Sequence, residues 1–295
     1  MQLKSAVKQA AVAAMGHCYR PRSERTIVLC YHSVHPHKWF LSATPDLFEQ
    51  HLLWLKENCQ LIAFEDALTS DRVKRTKPSV AVTFDDGYAD NYDYAFPILS
   101  RHNVPATFFV STGYIDHHSS VIERFRTLRH TEYEDIRPMN WSQVREMSGA
   151  GYHFGAHTYS HPNLAALDRD NARRELTISK SRLEDQLGKH VGSFAYPFGK
   201  PRRHFSPETI ELLSEAGYSS AAAVLFRGLK ADDSRFQIPR FFVQKDSVQT
   251  LSEKVAGSWD IIGLWQERAP MWATRALSPQ DFRSTSAGCS LLRAY

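Results

Sequence analysis

The chain has 295 residues, of which 42% are hydrophobic and 23% are charged, and its formal net charge is +4. This composition is typical of a soluble globular protein with one large domain or two small ones. No apolar run reaches the roughly 18 residues that a membrane-spanning helix requires. The four cysteines are far apart and lack CxxC spacing, so they indicate neither a disulfide framework nor a thiolate metal site.

The positive charge is concentrated in residues 1–25, which contain five basic residues and one acidic residue. We therefore expect a basic N-terminal extension, and we expect no nucleic-acid partner, because such proteins usually spread basic side chains over a folded face. The apolar stretch 10–15 is too short for a clear signal peptide. The extension is interpreted as a solvated helix, with weak contact to an anionic membrane surface as the alternative, and a cytoplasmic or membrane-peripheral location is favoured.

In chain order, short apolar runs alternate with helical patterns, which is typical of βα units around a parallel sheet. The predicted strands are Thr26–Tyr31, Val80–Phe84, Ala106–Val110, Tyr152–Ala156, Ser193–Tyr196, Ser219–Val224 and Gln237–Val243. The predicted helices are Pro45–Asn58, Tyr88–His102, Trp141–Ala150, Asp168–Leu187 and Ser206–Ala216. The polar segment His117–Arg137 is predicted to be an insertion or a long loop. The pattern indicates a single α/β domain over residues 26–268, followed by a peripheral C-terminal tail at 269–295.

Two adjacent carboxylates follow the predicted strand Val80–Phe84. They belong to Asp85 and Asp86, and Gly87 comes next. In parallel α/β folds the carboxyl ends of strands are where ligands bind. Adjacent side chains on a regular strand point to opposite faces, so both carboxylates reach one site only if the strand turns there, which Gly87 makes easy. The alternative is a pair of N-cap residues for the helix near Tyr88.

Two histidines, His157 and His161, lie just beyond the predicted strand Tyr152–Ala156. Pro162 disfavours helix at His161, so the pair is expected on a loop at the same sheet edge as Asp86. His153 has the same spacing from His157, but along a strand it would be about 13 Å away, too far to share a metal. We therefore expect His153 to be a core residue or to contact the metal ligands without binding the metal itself.

One carboxylate and two imidazoles form the ligand set of a catalytic metal site. Catalytic zinc sites use three protein ligands and leave a position for water, whose pKa falls to about 7. We therefore predict that Asp86, His157 and His161 bind a divalent metal, with zinc as the expected ion. Asp85 remains available to accept the proton from the metal-bound water. A structural zinc site would need a fourth ligand, and no cysteine is close in sequence.

The strand Ser193–Tyr196 ends in the turn Pro197-Phe198-Gly199. A backbone N–H of this turn could face an oxyanion, but as an isolated signal the segment is an ordinary turn.

Three segments together resemble the successive motifs of the polysaccharide deacetylase family (NodB-homology domain, carbohydrate esterase family 4). They are Thr83-Phe84-Asp85-Asp86-Gly87, His157-Thr158-Tyr159-Ser160-His161 and Tyr196-Pro197-Phe198-Gly199, and the resemblance extends over roughly residues 26–260. It implies a distorted, TIM-like (β/α)7 barrel that removes N-acetyl, or sometimes O-acetyl, groups from a polysaccharide or glycan precursor. Tyr31-His32-Ser33-Val34 is similar to the branch of the family that acts in exopolysaccharide biosynthesis.

By position, the resemblance implies distinct roles for the residues of the three motifs. Asp85 would be the general base, and Asp86, His157 and His161 would hold the metal. The backbone N–H of Phe198 would stabilise the oxyanion.

Two positions depart from the family pattern. Many members have an arginine in the third motif, where this chain has Ala195. Arg240, at the end of a predicted strand, is the candidate replacement, and the alternative is a surface or structural arginine. The C-terminal leucine-x-histidine motif that supplies the general acid has no counterpart, because no histidine follows His204. His32 is the candidate acid or substrate contact, and the alternative is a buried structural histidine.

Two other functions remain open from the sequence. A glycoside hydrolase would have two carboxyl groups about 5–9.5 Å apart on separate segments and no metal. A carbohydrate-binding barrel without catalytic activity would retain the fold while lacking the usual acid and arginine.

Overall fold

The computed structural model describes residues 25–37, 41–68, 76–129 and 137–268. The expectations for residues 1–24, including a membrane contact, and for the tail 269–295 lie outside the described residues. Arg25 is described, and its guanidinium donates two hydrogen bonds, of 2.8 and 2.9 Å, to the Asp260 carboxylate. Among the described helices, none combines the length and the apolar character that crossing a membrane would require.

A curled parallel sheet forms the centre of the molecule. Its strands are β1 (Thr26–Tyr31), β4 (Gln60–Ile62), β5 (Ser79–Phe84), β6 (Ala106–Val110), β7 (His153–Ala156), β8 (Ser193–Ala195), β9 (Ser220–Ala222) and β10 (Phe241–Phe242); a separate parallel pair consists of β2 (Ser33–Val34) and β3 (Ser42–Ala43). The order in the sheet is β10-β1-β5-β6-β7-β8-β9, and β4 pairs with the first half of β5.

The segment 238–243 joins the two ends of this sheet. At its start, Ile238 accepts a hydrogen bond from the Ala223 N–H (2.8 Å) and donates one to Ala221 O (2.9 Å), next to β9. At its end, β10 pairs with β1, and the Val243 N–H donates to Cys30 O at 2.9 Å. The predicted single-domain α/β architecture, a distorted (β/α)7 barrel, is therefore confirmed.

Helices surround the sheet. They are Pro45–Asn58, Phe96–His102, Thr112–Ile115, Ser119–Arg129, Trp141–Gly149, Arg169–Leu187, Pro207–Glu215, Val248–Ala256 and Asp260–Arg268, with a π-helical segment at Asn91–Ala95. The first begins as predicted: the Thr44 side chain accepts a hydrogen bond from the Leu47 N–H, and Pro45 occupies the first turn.

Part of the segment His117–Arg137, which was predicted to be an insertion or a long loop, forms the helix Ser119–Arg129, so the long-loop alternative was wrong for this part. Its buried residues Val121 and Phe125 are four positions apart and therefore share one helix face. The numerous charged residues between and after them concealed this spacing.

The barrel interior changes from apolar to polar along the strands. An apolar layer lies inside the barrel and contains Val28, Phe64, Ala81, Phe109, Ala195, Ala222 and Ile238. Because side chains alternate along a strand, the next inward positions after Val28, Ala81 and Ile238 are those of Cys30, Thr83 and Arg240. All three side chains are buried, so polar groups fill the barrel towards the carboxyl ends of its strands.

Candidate metal and catalytic site

The end of β5 places two carboxylates at one site by a sharp turn. Asp85 continues the inward alternation, and regular geometry would direct Asp86 outward. Instead Asp86 has φ 77° and Gly87 has φ 91°, so the chain reverses as soon as the strand ends. A Cβ on Gly87 would lie 2.9 Å from Ile115 Cδ1, which leaves space only for glycine. Asp85 is 3% exposed and Asp86 is fully buried, as expected for site residues rather than exposed helix caps.

The segment 157–161, here called the histidine loop, follows β7 and carries both imidazoles. Thr158 has φ 66° and His161 has φ 58°, values that non-glycine residues seldom adopt, and Thr158 is also β-branched. The Thr158 hydroxyl stabilises this conformation because it donates to His157 O at 2.5 Å and accepts from the His161 N–H at 3.0 Å. Unusual backbone geometry of this kind is concentrated at functional sites.

The three predicted metal ligands converge. Asp86 Oδ1 lies 3.5 Å from His157 Nε2 and 3.2 Å from His161 Nε2. Tetrahedral zinc with bonds near 2.1 Å would separate its ligand atoms by ~3.4 Å. His157 Nδ1 lies 2.7 Å from Ala195 O, so it carries the proton and leaves the Nε2 lone pair facing the Asp86 carboxylate. The donor set therefore fits a divalent cation, and all three residues are buried.

Arg240 and Asp85 form a buried ion pair beside these ligands. Arg240 Nη1 donates to Asp85 Oδ1 at 2.7 Å, and Nη2 donates to Oδ2 at 2.8 Å. The two side chains are 0% and 4% exposed, so Arg240 is not a surface residue. Its guanidinium also lies 5.4 Å from the centre of the Phe109 ring. Phe109 and Ala195 belong to the same apolar layer inside the barrel. Arg240 thus contacts Asp85 from a different segment of the chain. The third-motif position, where many members of the family have an arginine, is occupied by the small residue Ala195.

The opposite charges of Asp85 and Arg240 determine the protonation state of both groups inside this part of the barrel. Burial alone would raise the pKa of Asp85, but Arg240, followed by His157, outweighs burial, and the pKa lies below its ordinary value. Burial likewise acts to lower the pKa of Arg240, but Asp85 raises it above the ordinary value. Cys30 donates to Asp85 Oδ2 at 3.3 Å, and burial is the main reason that its thiol pKa is raised. Asp85 is therefore an ionised carboxylate.

His32 and Phe198 line the same cleft as Asp85, His157 and His161. The remaining lining residues are Tyr196, Val224 and Phe242. His32 is 4% exposed, and its ring centre lies 5.2 Å from that of Phe242. The histidine predicted as acid or substrate contact is thus both buried and part of the cleft wall.

The predicted turn at Pro197-Phe198-Gly199 is present. Phe198 has φ 60° and Gly199 has φ 66°, and a Cβ on Gly199 would lie 2.4 Å from Val224 Cγ2. The Phe198 ring packs 4.8 Å from the His161 ring, which fixes the turn against a predicted metal ligand. Within the described ranges, no hydrogen-bond acceptor contacts the Phe198 N–H.

His153 lies at the other end of β7, where its side chain is 49% exposed and its Nδ1 is 3.6 Å from Glu65 Oε2. The prediction that it does not share the metal site is consistent with this placement. The prediction of a core or ligand-supporting residue was wrong, because His153 opens the strand at the solvent-facing end of the barrel.

Two contributors to the site were not predicted. Cys30 contacts the Asp85 carboxylate. Cys30 lies two positions after Val28, whose side chain points into the barrel, and this spacing could have indicated that Cys30 points inward as well. Glu175 accepts hydrogen bonds from the Tyr159 and Ser160 N–H groups of the histidine loop at 2.9 and 2.8 Å. Glu175 lies on the helix Arg169–Leu187, and although Glu175-Leu176 is part of the resemblance to the family, the sequence alone assigned it no role.

The family model described as polysaccharide deacetylase matches residues 72–221, which is just over half of the 295-residue chain. The chain therefore belongs to the polysaccharide deacetylase family, and the resemblance of its three motifs is confirmed.

Individual relatives agree with this assignment. YxkH of Bacillus subtilis, whose name places it among polysaccharide deacetylases, is 28% identical over 195 residues, covering 65% of this chain and 61% of that protein. The poly-beta-1,6-N-acetyl-D-glucosamine N-deacetylase of Staphylococcus epidermidis is 24% identical over 233 residues, covering 74% and 72%. The match therefore spans less than two thirds of the first relative.

A solved structure extends the likeness to the fold. The deacetylase PplD of Streptococcus pyogenes, determined in complex with acetate, matches with a TM-score of 0.65 and 25% identity. The match covers 80% of this chain and 99% of that chain.

Proposed function

We propose that this protein is a metal-dependent hydrolase that removes N-acetyl groups from a polysaccharide or glycan precursor. The observation that carries the proposal is the convergence of Asp86, His157 and His161 beside the Asp85–Arg240 ion pair at one end of the barrel. The substrate class is supported by the Staphylococcus epidermidis relative, which is named for poly-beta-1,6-N-acetyl-D-glucosamine. A polymer of N-acetylglucosamine is therefore the first substrate to test.

Asp86, His157 and His161 would hold the cation, which we expect to be zinc. A divalent cation in this position supplies a Lewis acid that polarises the acetyl carbonyl and lowers the pKa of a water molecule. The buried surroundings of the three ligands strengthen every electrostatic interaction with the substrate.

Asp85 is assigned as the general base. Arg240 keeps its carboxylate ionised and fixes its orientation through two hydrogen bonds. Asp85 accepts a proton from water as the water oxygen forms a bond to the carbonyl carbon of the acetyl group. Its depressed pKa keeps the carboxylate ionised and therefore able to accept that proton.

Phe198 and His32 are assigned to stabilising the oxyanion and to protonating the leaving amine. The backbone N–H of Phe198 donates to the oxygen that becomes negative in the tetrahedral intermediate. His32 donates a proton to the amine nitrogen as the C–N bond breaks, which releases acetate and a free amino sugar. Among the cleft-lining histidines, His32 is the one outside the group Asp86, His157 and His161, and this position supports its role as the acid.

The test measures acetate release from a β-1,6-linked N-acetylglucosamine oligomer by the full chain. We expect release that a chelator abolishes and that added zinc restores. The variants Asp85→Asn and His157→Ala should lose this activity by about 100-fold or more. His153→Ala is the matched control, because it removes an imidazole at the other end of the same strand and should release acetate at the wild-type rate.

The same assay separates the alternatives. Chelator-insensitive cleavage of the sugar chain without acetate would indicate a glycoside hydrolase and would contradict the proposal. Binding of the oligomer without any reaction, in zinc-loaded protein, would indicate a carbohydrate-binding barrel.

A further inference from the structure

We propose that Glu175 is a positioning residue that holds the histidine loop in the conformation required for metal binding. The inference rests on the proposed metal site, and it adds a residue outside the three ligands and outside the cleft. It assigns to the helix Arg169–Leu187 a direct part in building that site.

Three hydrogen bonds connect Glu175 to the middle of the loop. Its Oε2 accepts from the Tyr159 N–H at 2.9 Å and from the Ser160 N–H at 2.8 Å. Its Oε1 accepts from the Ser160 hydroxyl at 2.6 Å. One carboxylate therefore contacts both residues at the centre of the loop, while His157 and His161 form its two ends.

The backbone of the loop explains why an acceptor, best supplied by a carboxylate, is found there. Thr158 and His161 both have positive φ, so the two residues between them cannot join a helix or a strand. Consecutive N–H groups in such a bend point in nearly the same direction and create a site for an anion. Glu175 supplies that anion, and its charge makes the hydrogen bonds stronger than neutral ones.

The carbonyl groups of the loop are held separately. Ser111 Oγ donates to His157 O at 3.0 Å, the Thr112 N–H donates to Thr158 O at 3.2 Å, and the Gly113 N–H donates to Tyr159 O at 2.9 Å. The segment after β6 thus fixes the acceptors of the loop, and Glu175 fixes its central donors. Within the described part of the chain, no other acceptor contacts the Tyr159 or Ser160 N–H.

This arrangement determines the distance between the two imidazoles. Their ring centres are 5.0 Å apart, and both Nε2 atoms face Asp86 Oδ1. If the Tyr159–Ser160 bend relaxes, His161 moves relative to His157, because only three residues connect them. Metal binding would then have to reorder the loop, which lowers the affinity for the cation.

The experiment compares zinc affinities of the full chain, measured by competition with a chromogenic chelator. Glu175→Ala should bind zinc roughly 10- to 100-fold more weakly, as is common when a group that orients metal ligands is removed. Glu184→Ala is the matched control, because Glu184 lies on the same helix and also accepts a backbone hydrogen bond, from the Val191 N–H at 3.0 Å. Since Val191 precedes β8, at the end of the sheet away from the metal, this variant should bind zinc within about two-fold of wild type.

Glu175→Gln distinguishes hydrogen bonding from a general loss of structure. The glutamine oxygen can accept from both N–H groups, and its NH2 group can donate to the Ser160 hydroxyl oxygen. We therefore expect zinc binding within about three-fold of wild type, because the geometry is kept and only the charge is lost. Glu175→Ala and Glu184→Ala should have similar melting temperatures without metal, and only Glu175→Ala should lose the increase that zinc causes.

The possible outcomes separate this inference from the proposed function. Wild-type protein that binds no zinc would overturn both. Wild-type binding matched by equally tight binding in Glu175→Ala would overturn the role of Glu175 and leave the metal site standing. Should Glu175→Ala not fold, Ser160→Ala replaces it, because it removes only the hydroxyl donor; it should weaken zinc binding by about three-fold, and wild-type affinity would contradict the inference.

Discussion

Charged side chains are stabilised in different ways at the two ends of the barrel. At the amino ends of the strands, Glu65 accepts hydrogen bonds from the Thr107 and Ser193 hydroxyls, both at 3.1 Å, and its side chain is 34% exposed. At the carboxyl ends, the side chain of Asp85 is 4% exposed, and its charge is neutralised by the guanidinium of Arg240.

The difference shows what a buried reactive centre requires. Water still reaches Glu65, so it needs no buried opposite charge. Buried charges need an opposite charge or a cation to offset the loss of hydration. The carboxyl end also contains the positive-φ residues Asp86, Thr158, His161 and Phe198, and residues in such strained conformations are retained where they serve a function.

The largest effect is expected when the buried charge loses its partner. Arg240→Met would leave the Asp85 carboxylate buried and uncompensated, which should lower the free energy of unfolding by about 3–5 kcal/mol. Acetate release should also be lost, because without Arg240 burial raises the pKa of Asp85 and favours the protonated carboxyl, which cannot accept a proton. Urea unfolding measures the first effect. The double variant Asp85→Asn/Arg240→Met should recover most of the stability without recovering activity, and continued instability would contradict this account.

Asp90 offers a buried carboxylate without a cationic partner among the described residues. Burial raises its pKa to about 7 in spite of hydrogen bonds from Ser33, the Val34 backbone and Asn91. Because the folded pKa exceeds the ordinary 3.8, its contribution to stability is fully present below about pH 4 and is lost as the pH rises through about 7. At 1.36 kcal/mol per pH unit, the gap between 3.8 and about 7 corresponds to at most about 4 kcal/mol.

Asp90→Asn tests this directly. Unfolding free energies of both proteins, measured between pH 4 and pH 8, should diverge, with the variant losing less stability as the pH rises. Parallel curves would show that Asp90 is already ionised in the folded protein at low pH.

Zinc bound at the carboxyl end of the barrel should raise the free energy of unfolding by mass action. At free zinc near 100 times Kd, the gain is ~2.7 kcal/mol, which corresponds to a rise in Tm of roughly 5–10 °C for a chain of this size. His161→Ala should abolish the rise, whereas His153→Ala should retain it. An undiminished rise in His161→Ala would place zinc elsewhere.

The smallest effect is expected at the amino end. Glu65→Gln should change the free energy of unfolding by less than about 1 kcal/mol, because the group is partly solvated. Zinc affinity and acetate release should not change. A loss comparable to that of Arg240→Met would remove the contrast between the two ends.

Much of the fold could be predicted because buried strands appear in the sequence as apolar runs. Thr26–Tyr31 and Ala106–Val110 were predicted with the bounds that the structure has. Gln237–Val243 shortens to Phe241–Phe242, because this segment changes partner from β9 to β1. The helices Val248–Ala256 and Asp260–Arg268 were not predicted, although Ser247 caps the first of them.

The candidate site could be predicted only where its residues are neighbours in sequence. Asp85 and Asp86 are adjacent, and His157 and His161 follow one strand, so their motifs are local. Arg240 was an uncertain candidate, because its contact with Asp85 depends on closure of the barrel. Glu175 lies within the region that resembles the family but was not assigned a role, because its partners are backbone N–H groups, whose positions the residue pattern does not specify.

Arg240 is also 155 positions from Asp85, in the segment that joins the two ends of the sheet. The family model ends at residue 221 and therefore does not include it. Because the ribosome adds residues from the N-terminus onward, a nascent chain of 237 residues would contain all three motifs described above and still lack the guanidinium. Under the proposed function, competence for the reaction would be acquired late in translation, and a product terminated before residue 240 would be inert although its three motifs are complete.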